Sequence, residues 1–510
     1  MPPWHADAIG AGWRSQTIGE IFKGTDAACA DPDTRIFPAT GHKTAVLPPI
    51  LIQLTFTSHT GSLFLSLYAP RYCLTASAGF GRQFAKLRAL SRLRRRYDSR
   101  KKRPPFVPLP DFPLTFQCPH ITISLEIPTT WREKHMIDTS KHTFIATAAF
   151  GLEGLVKREL LRLGFADARA ENGGVRFTAD FAGAFTACLW LACADRVLLL
   201  MAEGEARSFE ELFQLVRSAP WESVLPPDAA IPVSGRCARS QLMSVRDCQA
   251  ITKKAIVDRM LQGHHVRTLP ETGARYAVDV ALHGDVARLT LDLCGDALNR
   301  RGYRTWNGEA PLRETAAAAL VRLSTWRYQE PLHDPCCGTG TLLIEAAYAA
   351  AHRASGLTRA FDMEKWACVD AQALKDIRAD ARAQADFSHL PLISGSDISP
   401  EALELARRHI RQAGLEGKIT VYQRDMRDLQ LSGPAPCFLC NPPYGERLGD
   451  RKSCEQLYRA MKGLMQRHPG CTLNVITSHP GFERVAGMHA QGRTRLYNGR
   501  LECEFLRFTR

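Results

Sequence analysis

This 510-residue chain lacks any long, unbroken apolar run. The stretch from Ile50 to Tyr68 is apolar in places, but Gln53, His59 and many Ser/Thr interrupt it. It makes a poor bilayer span, and no membrane partner is expected. A secretory leader is missing too: Met1 to Lys23 has neither a basic start nor a compact apolar core, and its acidic residues argue against a transit peptide. Sixteen cysteines are present but scattered, with no leader before them, which predicts reduced thiols and a cytoplasmic location. Cys437 and Cys440 form a CxxC with no second pair at zinc spacing. Both fit a buried strand, so no metal is expected.

The bulk composition is ordinary. An apolar share of 45% and a charged share of 23% are those of a soluble globular protein long enough for two to four domains. The net charge of +14 suggests a polyanionic partner, but residues 1–135 carry +9 of it, and Arg82 to Arg103 alone hold eleven Lys/Arg against one Asp. That makes whole-chain charge a poor argument for nucleic-acid binding by the rest. Residues 1–135 also hold 14 of the 30 prolines, with little sustained periodicity. They read as a disordered or mis-annotated extension, and "SRLRRRYDSRKKR" has the alternative of a basic RNA-binding arm.

At Met136 the character changes, as at a true N-terminus. Thr143 to Ala148 reads as a strand, followed by a helix whose apolar positions Leu152, Leu155, Val156, Leu160 and Leu163 keep helical spacing before Gly164. From Ala168 to about Leu293, strand pairs alternate with helices, which predicts α+β. Within it a strand leads into Arg236, Arg239, Ser240 and Arg246, and a helix carrying Lys253 and Lys254 follows. Such a group suits contacts to RNA phosphates, or a solvated helix face, and composition does not choose between them.

The second half carries the chemistry. "PLHDPCCGTGTLLIEAAYAA" reads as a strand ending at Asp334, a turn allowed by Gly338 and Gly340, and a helix from Thr341. No Gly-Lys-Ser/Thr follows and no G-x-G-x-x-G is formed, so neither a Walker loop nor the dinucleotide fingerprint is present. A second strand ends on Asp397 with a helix capped near Ser399, a third is followed by Asp425, and a fourth runs into Asn441-Pro442-Pro443-Tyr444. Four successive strand ends tipped with polar or turn residues predict one open α/β sheet with a ligand site along its carboxyl edge. The Pro-Pro pair cannot continue a central strand, so it makes a stiff turn with Asn441 and Tyr444 on either side.

Taken together, D-P-C-C-G-T-G-T, Asp397, Asp425 and N-P-P-Y resemble the class I S-adenosylmethionine-dependent methyltransferases that modify exocyclic or amide nitrogens. The middle resembles a ferredoxin-like segment followed by a THUMP domain, an RNA-binding module. Leu291 to Trp326 and the tail "RLYNGRLECEFLRF" are similar to the large-subunit (23S) ribosomal RNA guanine-N2 methyltransferase family, in its short members with one catalytic domain. The resemblance covers about 140 to 508. It implies a Rossmann-like α/β methyltransferase domain over 301–510, preceded by an α+β module made of a ferredoxin-like segment at 140–190 and THUMP at 191–300.

By the same resemblance, Asp334, Pro335, Cys336, Gly338, Thr339, Gly340 and Thr341 surround the methionine part of S-adenosylmethionine. Asp397 and Ile398 meet the ribose side, and Asp425 and Met426 the adenine. Asn441 and the Pro442 carbonyl would each accept one N–H of a ring amine, Pro443 would stiffen the turn, and Tyr444 would stack on the target base. N-P-P-Y alone also serves adenine-N6 and protein glutamine methylation. Transfer RNA guanine and a non-catalytic ribosome assembly factor are the other readings.

Overall fold

The computed structural model describes residues 138–304, 312–444, 451–499 and 501–509, together with strand backbone at places within 1–137. Two units separate, Met1–His135 and Met136–Arg510. In the first, Gln53–His59, Ser62–Ala69, Tyr72–Gly79, Thr115–Cys118 and Ile121–Glu126 are strands of one antiparallel sheet. An extension without structure is expected from the sequence, but these stretches are paired. The basic run Arg82–Arg103 lies outside the described residues.

The second unit holds two seven-stranded sheets. Strand β1 (His142–Thr147) leads through helix α1 (Glu153–Arg162) to β2 (Arg169–Glu171) and β3 (Gly174–Ala179), then α2 (Phe181–Trp190) and the long β4 (Arg196–Glu205). Next come α3 (Phe209–Ser218), α4 (Trp221–Val224), β5 (Val233–Ala238), α5 (Val245–His264) and the pair β6 (Ala277–His283) and β7 (Val286–Asp292). Helix α1 forms where the apolar spacing predicts, burying Leu155, Val156 and Leu160. Helix α3 starts on a reciprocal Ser208–Glu211 capping box.

The sheet order is β5-β6-β7-β4-β1-β3-β2. Strand β4 pairs with β1 through Arg196–Leu199 and with β7 through Leu198–Glu205. The ferredoxin-like and THUMP portions therefore share one sheet, and a division between residues 190 and 191 falls just before the strand common to both.

The remaining strands are β8 (Leu332–Asp334), β9 (Ile393–Asp397), β10 (Ile419–Gln423), β11 (Cys437–Cys440), β12 (Thr472–Thr477), β13 (Gly492–Asn498) and β14 (Leu501–Phe508). Their helices are α6 (Glu314–Leu323), α7 (Thr341–Ala350), α8 (Ala371–Ala383), α9 (Pro400–Gln412), α10 (Arg451–Arg467) and α11 (Phe482–Ala486). The order β10-β9-β8-β11-β12-β14-β13 is parallel through β12 and antiparallel at β14 and β13. Every residue of β8 and β11 is buried, as for central parallel strands covered on both faces. The chain winds outward from β8 to β10, then crosses back to β11, so the winding reverses between β8 and β11. A ligand crevice belongs at the carboxyl ends of those strands.

Candidate active site

The loop after β8 is built by its own backbone. Asp334 is buried and accepts the Cys336 N–H at 3.0 Å. The Cys337 N–H donates to the Ser396 carbonyl at 3.0 Å, and the Gly338 N–H donates to the Asp397 carboxylate at 2.8 Å. Gly340 has φ +81° and opens α7. A Cβ there would lie 3.3 Å from that of Ala406 on α9, so both conformation and close packing select glycine. At Gly338, φ is +50° and a Cβ would meet nothing within 4 Å, so the turn faces open space.

Asp397 accepts the Ser399 N–H on its other oxygen at 3.0 Å, and Ser399 caps α9 through Ala402 N. The Arg424 N–H donates to the Asp397 carbonyl at 3.1 Å, tying in the segment that carries Asp425. Asp425 caps the short 3-10 turn Met426–Asp428 and binds the Arg427 guanidinium; its hydrogen bonds to Arg427 hold the carboxyl below the usual range. Met426 is buried, while Ile398 is 67% exposed beside Asp397.

Burial pushes the Asp334 carboxyl well above its ordinary value against the Cys336 N–H, and the neighbouring charge acting on it is another carboxylate, Asp397. Two acids beside an open glycine turn fit a cationic ligand, such as one carrying an ammonium and a sulfonium. Cys336, Cys337 and Cys440 are thiols pushed well up, chiefly by burial, which suits packing and not nucleophilic attack. Among the described residues no group of three or more His, Cys, Asp or Glu could hold a metal ion.

β11 ends at Cys440, and Asn441 to Tyr444 leave the sheet beside the glycine loop. The Tyr444 hydroxyl donates to the Asn441 side-chain oxygen at 2.5 Å. Burial, with the Cys503 thiol beside it, pushes that hydroxyl well up, so it stays a donor. The ring is partly buried against the core, and its hydroxyl braces Asn441. Pro443 is held from the other side: Tyr458 on α10, fully buried, donates its hydroxyl to the Pro443 carbonyl at 2.7 Å.

Sequence reasoning misses Tyr458. A signal exists, since it stands on the apolar stripe Cys454, Tyr458, Met461, Leu464 and Met465, where a phenol needs a partner for its hydroxyl. It misses His333 as well, a buried imidazole on β8 bridging Ser394 at 2.8 Å and Ser396 at 3.1 Å on β9. His409 on α9 also reaches the loop, its Nδ1 lying 3.1 Å from the Thr339 carbonyl.

The five residues expected to meet phosphate are not gathered in one place. Arg239 is exposed at the carboxyl end of β5, and Ser240 there accepts the Asp285 N–H at 3.0 Å. Lys253 belongs near the other end of β5: its ammonium donates to the Ile231 carbonyl at 2.8 Å and pairs with Glu271 at 2.7 Å. The strand Val233–Ala238 runs between Ile231 and Arg239, a separation of about 25 Å. Lys253 is thus a partly buried tie within the fold. Arg236 pairs with Asp279, and Lys254 lies 5.7 Å from the Phe213 ring centre.

Residues 143–198 match the RlmL ferredoxin-like domain, 206–292 the THUMP domain and 301–507 the RMKL-like methyltransferase domain. A putative RNA methyltransferase, YpsC of Bacillus subtilis, is 36% identical over 370 residues, covering 72% of this chain and 96% of that protein. A ribosomal RNA large subunit methyltransferase K/L of Syntrophotalea carbinolica is 34% identical over 379 residues, but this chain spans only about half its length (53%). Among solved structures, a putative methyltransferase complexed with SAH superposes with TM-score 0.70 at 37% identity, over 73% of this chain and 99% of that one. A protein from Listeria monocytogenes titled a predicted N6-adenine-specific DNA methylase gives TM-score 0.69 at 40% identity, over 72% and 96%. S-adenosylmethionine is the methyl donor of such enzymes, and the glycine loop with its two carboxylates suits it. The chain belongs to the S-adenosylmethionine-dependent methyltransferase family that joins a ferredoxin-like segment and a THUMP domain to an RMKL-like methyltransferase domain.

Proposed function

We propose that this protein methylates the exocyclic N2 amine of a guanine in structured RNA, and that the RNA is 23S ribosomal RNA. The observation that carries the reading is the braced turn Asn441–Tyr444, held by Tyr444 and Tyr458 on the sheet edge that also bears the glycine loop. The amine on a purine is a poor nucleophile because its lone pair is delocalised into the ring. The Asn441 oxygen and the Pro442 carbonyl would each accept one of its N–H groups, leaving the nitrogen more pyramidal and its lone pair directed outward. Tyr444 occupies only one of the two lone pairs of the Asn441 oxygen. The other is available to the amine.

When bound, S-adenosylmethionine supplies an electrophilic methyl group on a sulfonium centre. Asp334 would receive its ammonium, Asp397 its ribose hydroxyls, and Asp425 with Met426 its adenine. Rigid positioning and fixed dipoles are the means of acceleration here. No strong base is required, because the methylated amine is acidic enough to lose its proton to water. The target base must leave its stack or lie in an unpaired loop to reach the turn.

The THUMP match and the names of the ribosomal relatives support RNA over DNA. Incubating the protein with labelled S-adenosylmethionine and undermethylated ribosomal or transfer RNA tests all the alternatives. Label in N2-methylguanosine of the large ribosomal RNA is expected; label in N6-methyladenosine, in transfer RNA alone, or none at all overturns the assignment. Asn441→Ala is expected to lower turnover by at least about a hundredfold while S-adenosylmethionine still binds.

A further inference from the structure

The RNA reading leaves one aromatic ring at this edge without a task. Leu501, Glu502 and Cys503 of β14 run past its last pairing with β12, where Glu504 faces Thr477. The β13–β14 hairpin therefore overhangs the carboxyl edge of the sheet by about 10 Å. One side of the overhang packs on the catalytic turn, with Cys503 and Asn498 beside the Tyr444 hydroxyl. The other side carries Arg493, Arg495 and Tyr497, which share a face because they alternate along β13.

Onto that hairpin comes the loop after β1, from the ferredoxin-like segment. Gly151 has φ +87°, and a Cβ on it would lie 2.6 Å from the Arg495 carbonyl oxygen, so only glycine permits this approach. The Gly151 N–H donates to Glu153 at 2.8 Å, and Glu153 also accepts the Gly173 N–H at 3.3 Å, which fixes the loop. Phe150 is thereby held edge-on to Tyr497, ring centres 5.8 Å apart, yet 61% of it stays exposed. Charge is not what this face offers: Arg493 pairs with Glu483 and Glu504, and Arg495 with Glu502. An open, positioned aromatic face across the hairpin from the catalytic turn suits a flat, uncharged partner.

We propose that Phe150, backed by Tyr497, is a stacking platform for an unpaired base of the substrate RNA flanking the methylated nucleotide, a positioning residue supplied by the N-terminal segment across the hairpin from the catalytic turn. It rests on RNA being the substrate. Tyr444 is engaged with Asn441 and partly buried, whereas Phe150 is the most exposed large hydrophobic ring among the described residues, at 61%. Stacking keeps the flanking strand in place and leaves the methyl-transfer geometry to Asn441 and its turn.

The test compares wild type, Phe150→Ala, Phe150→Leu and Phe150→Trp in the full chain, using undermethylated ribosomal RNA and labelled S-adenosylmethionine. Loss of one base–aromatic stack is expected to raise KM for RNA about tenfold in Phe150→Ala. Phe150→Leu should resemble it and Phe150→Trp should resemble wild type, with kcat and S-adenosylmethionine affinity little changed in all. Transfer by the wild type with an unchanged KM in Phe150→Ala, or rescue by leucine as good as by tryptophan, overturns the proposal alone. No transfer to any RNA by the wild type overturns the RNA reading and this proposal with it.

Discussion

His333 illustrates how a single side chain sets a condition on the whole site. It lies fully buried between Ser394 and Ser396, stitching β8 to β9 directly under the glycine loop. Burial, and secondarily His468, pulls its pKa down to about 3. An unfolded histidine titrates near 6.5, so between those values the unfolded chain binds a proton that the fold excludes. Stability from this residue is thus complete above about pH 6.5 and is lost as pH falls toward 3, a total on the order of several kcal/mol. In urea titrations at pH 4 to 6, His333→Gln is expected to remove about one proton's worth of slope, roughly 1.4 kcal/mol per pH unit, relative to wild type. An identical acid dependence in the variant would show that His333 is already charged in the fold. Asp334, next to it, was legible as a strand-end acid, whereas the neutral state of His333 depends on two serines of another strand.

At the scale of elements, α10 matters as a brace. Its apolar stripe packs beneath β11, and the one hydroxyl on that stripe reaches the Pro443 carbonyl. Removing it with Tyr458→Phe preserves the packing and frees the turn to shift. We expect kcat to drop about tenfold or more with S-adenosylmethionine affinity intact, since small displacements of reacting groups are costly. Equal kcat in the two proteins would mean that the Pro-Pro turn is stiff enough alone. The strand ends of the catalytic sheet were readable because each apolar run stops on a glycine, proline or acid at a spacing that admits a helix between. Helix α1 was readable for the same kind of reason, local periodicity. The sharing of β4 was not, because pairing partners such as Leu198 and Asp292, or Glu205 and Val286, stand too far apart along the chain to leave a mark on local pattern.

For the whole of the second unit, the join between the modules rests on buried charge. Arg301, 1% exposed, donates to the Ala192 carbonyl of the ferredoxin-like portion and, at 2.6 Å, to that of Leu298. It also pairs with Glu345 on α7 at 3.5 Å, and Tyr303 donates to the same carboxylate at 2.9 Å. Arg301→Ala leaves Glu345 buried with its cation gone, a loss of about 3–5 kcal/mol, whereas Arg301→Met with Glu345→Leu should recover much of it. Chemical denaturation of the three proteins checks this, and a single variant as stable as the double one would sink it. The sequence by itself determined the open α/β sheet and the row of polar strand tips, because both follow from local spacing of apolar, turn and acidic residues, and its resemblance to a known family supplied the order of modules. Only the tertiary structure decided that Tyr444 serves Asn441, that Lys253 is tied into the fold and that Phe150 rests on Tyr497 with most of its ring exposed. Hydrogen bonds and exposure belong to pairs of residues remote along the chain, and only folding brings those pairs together.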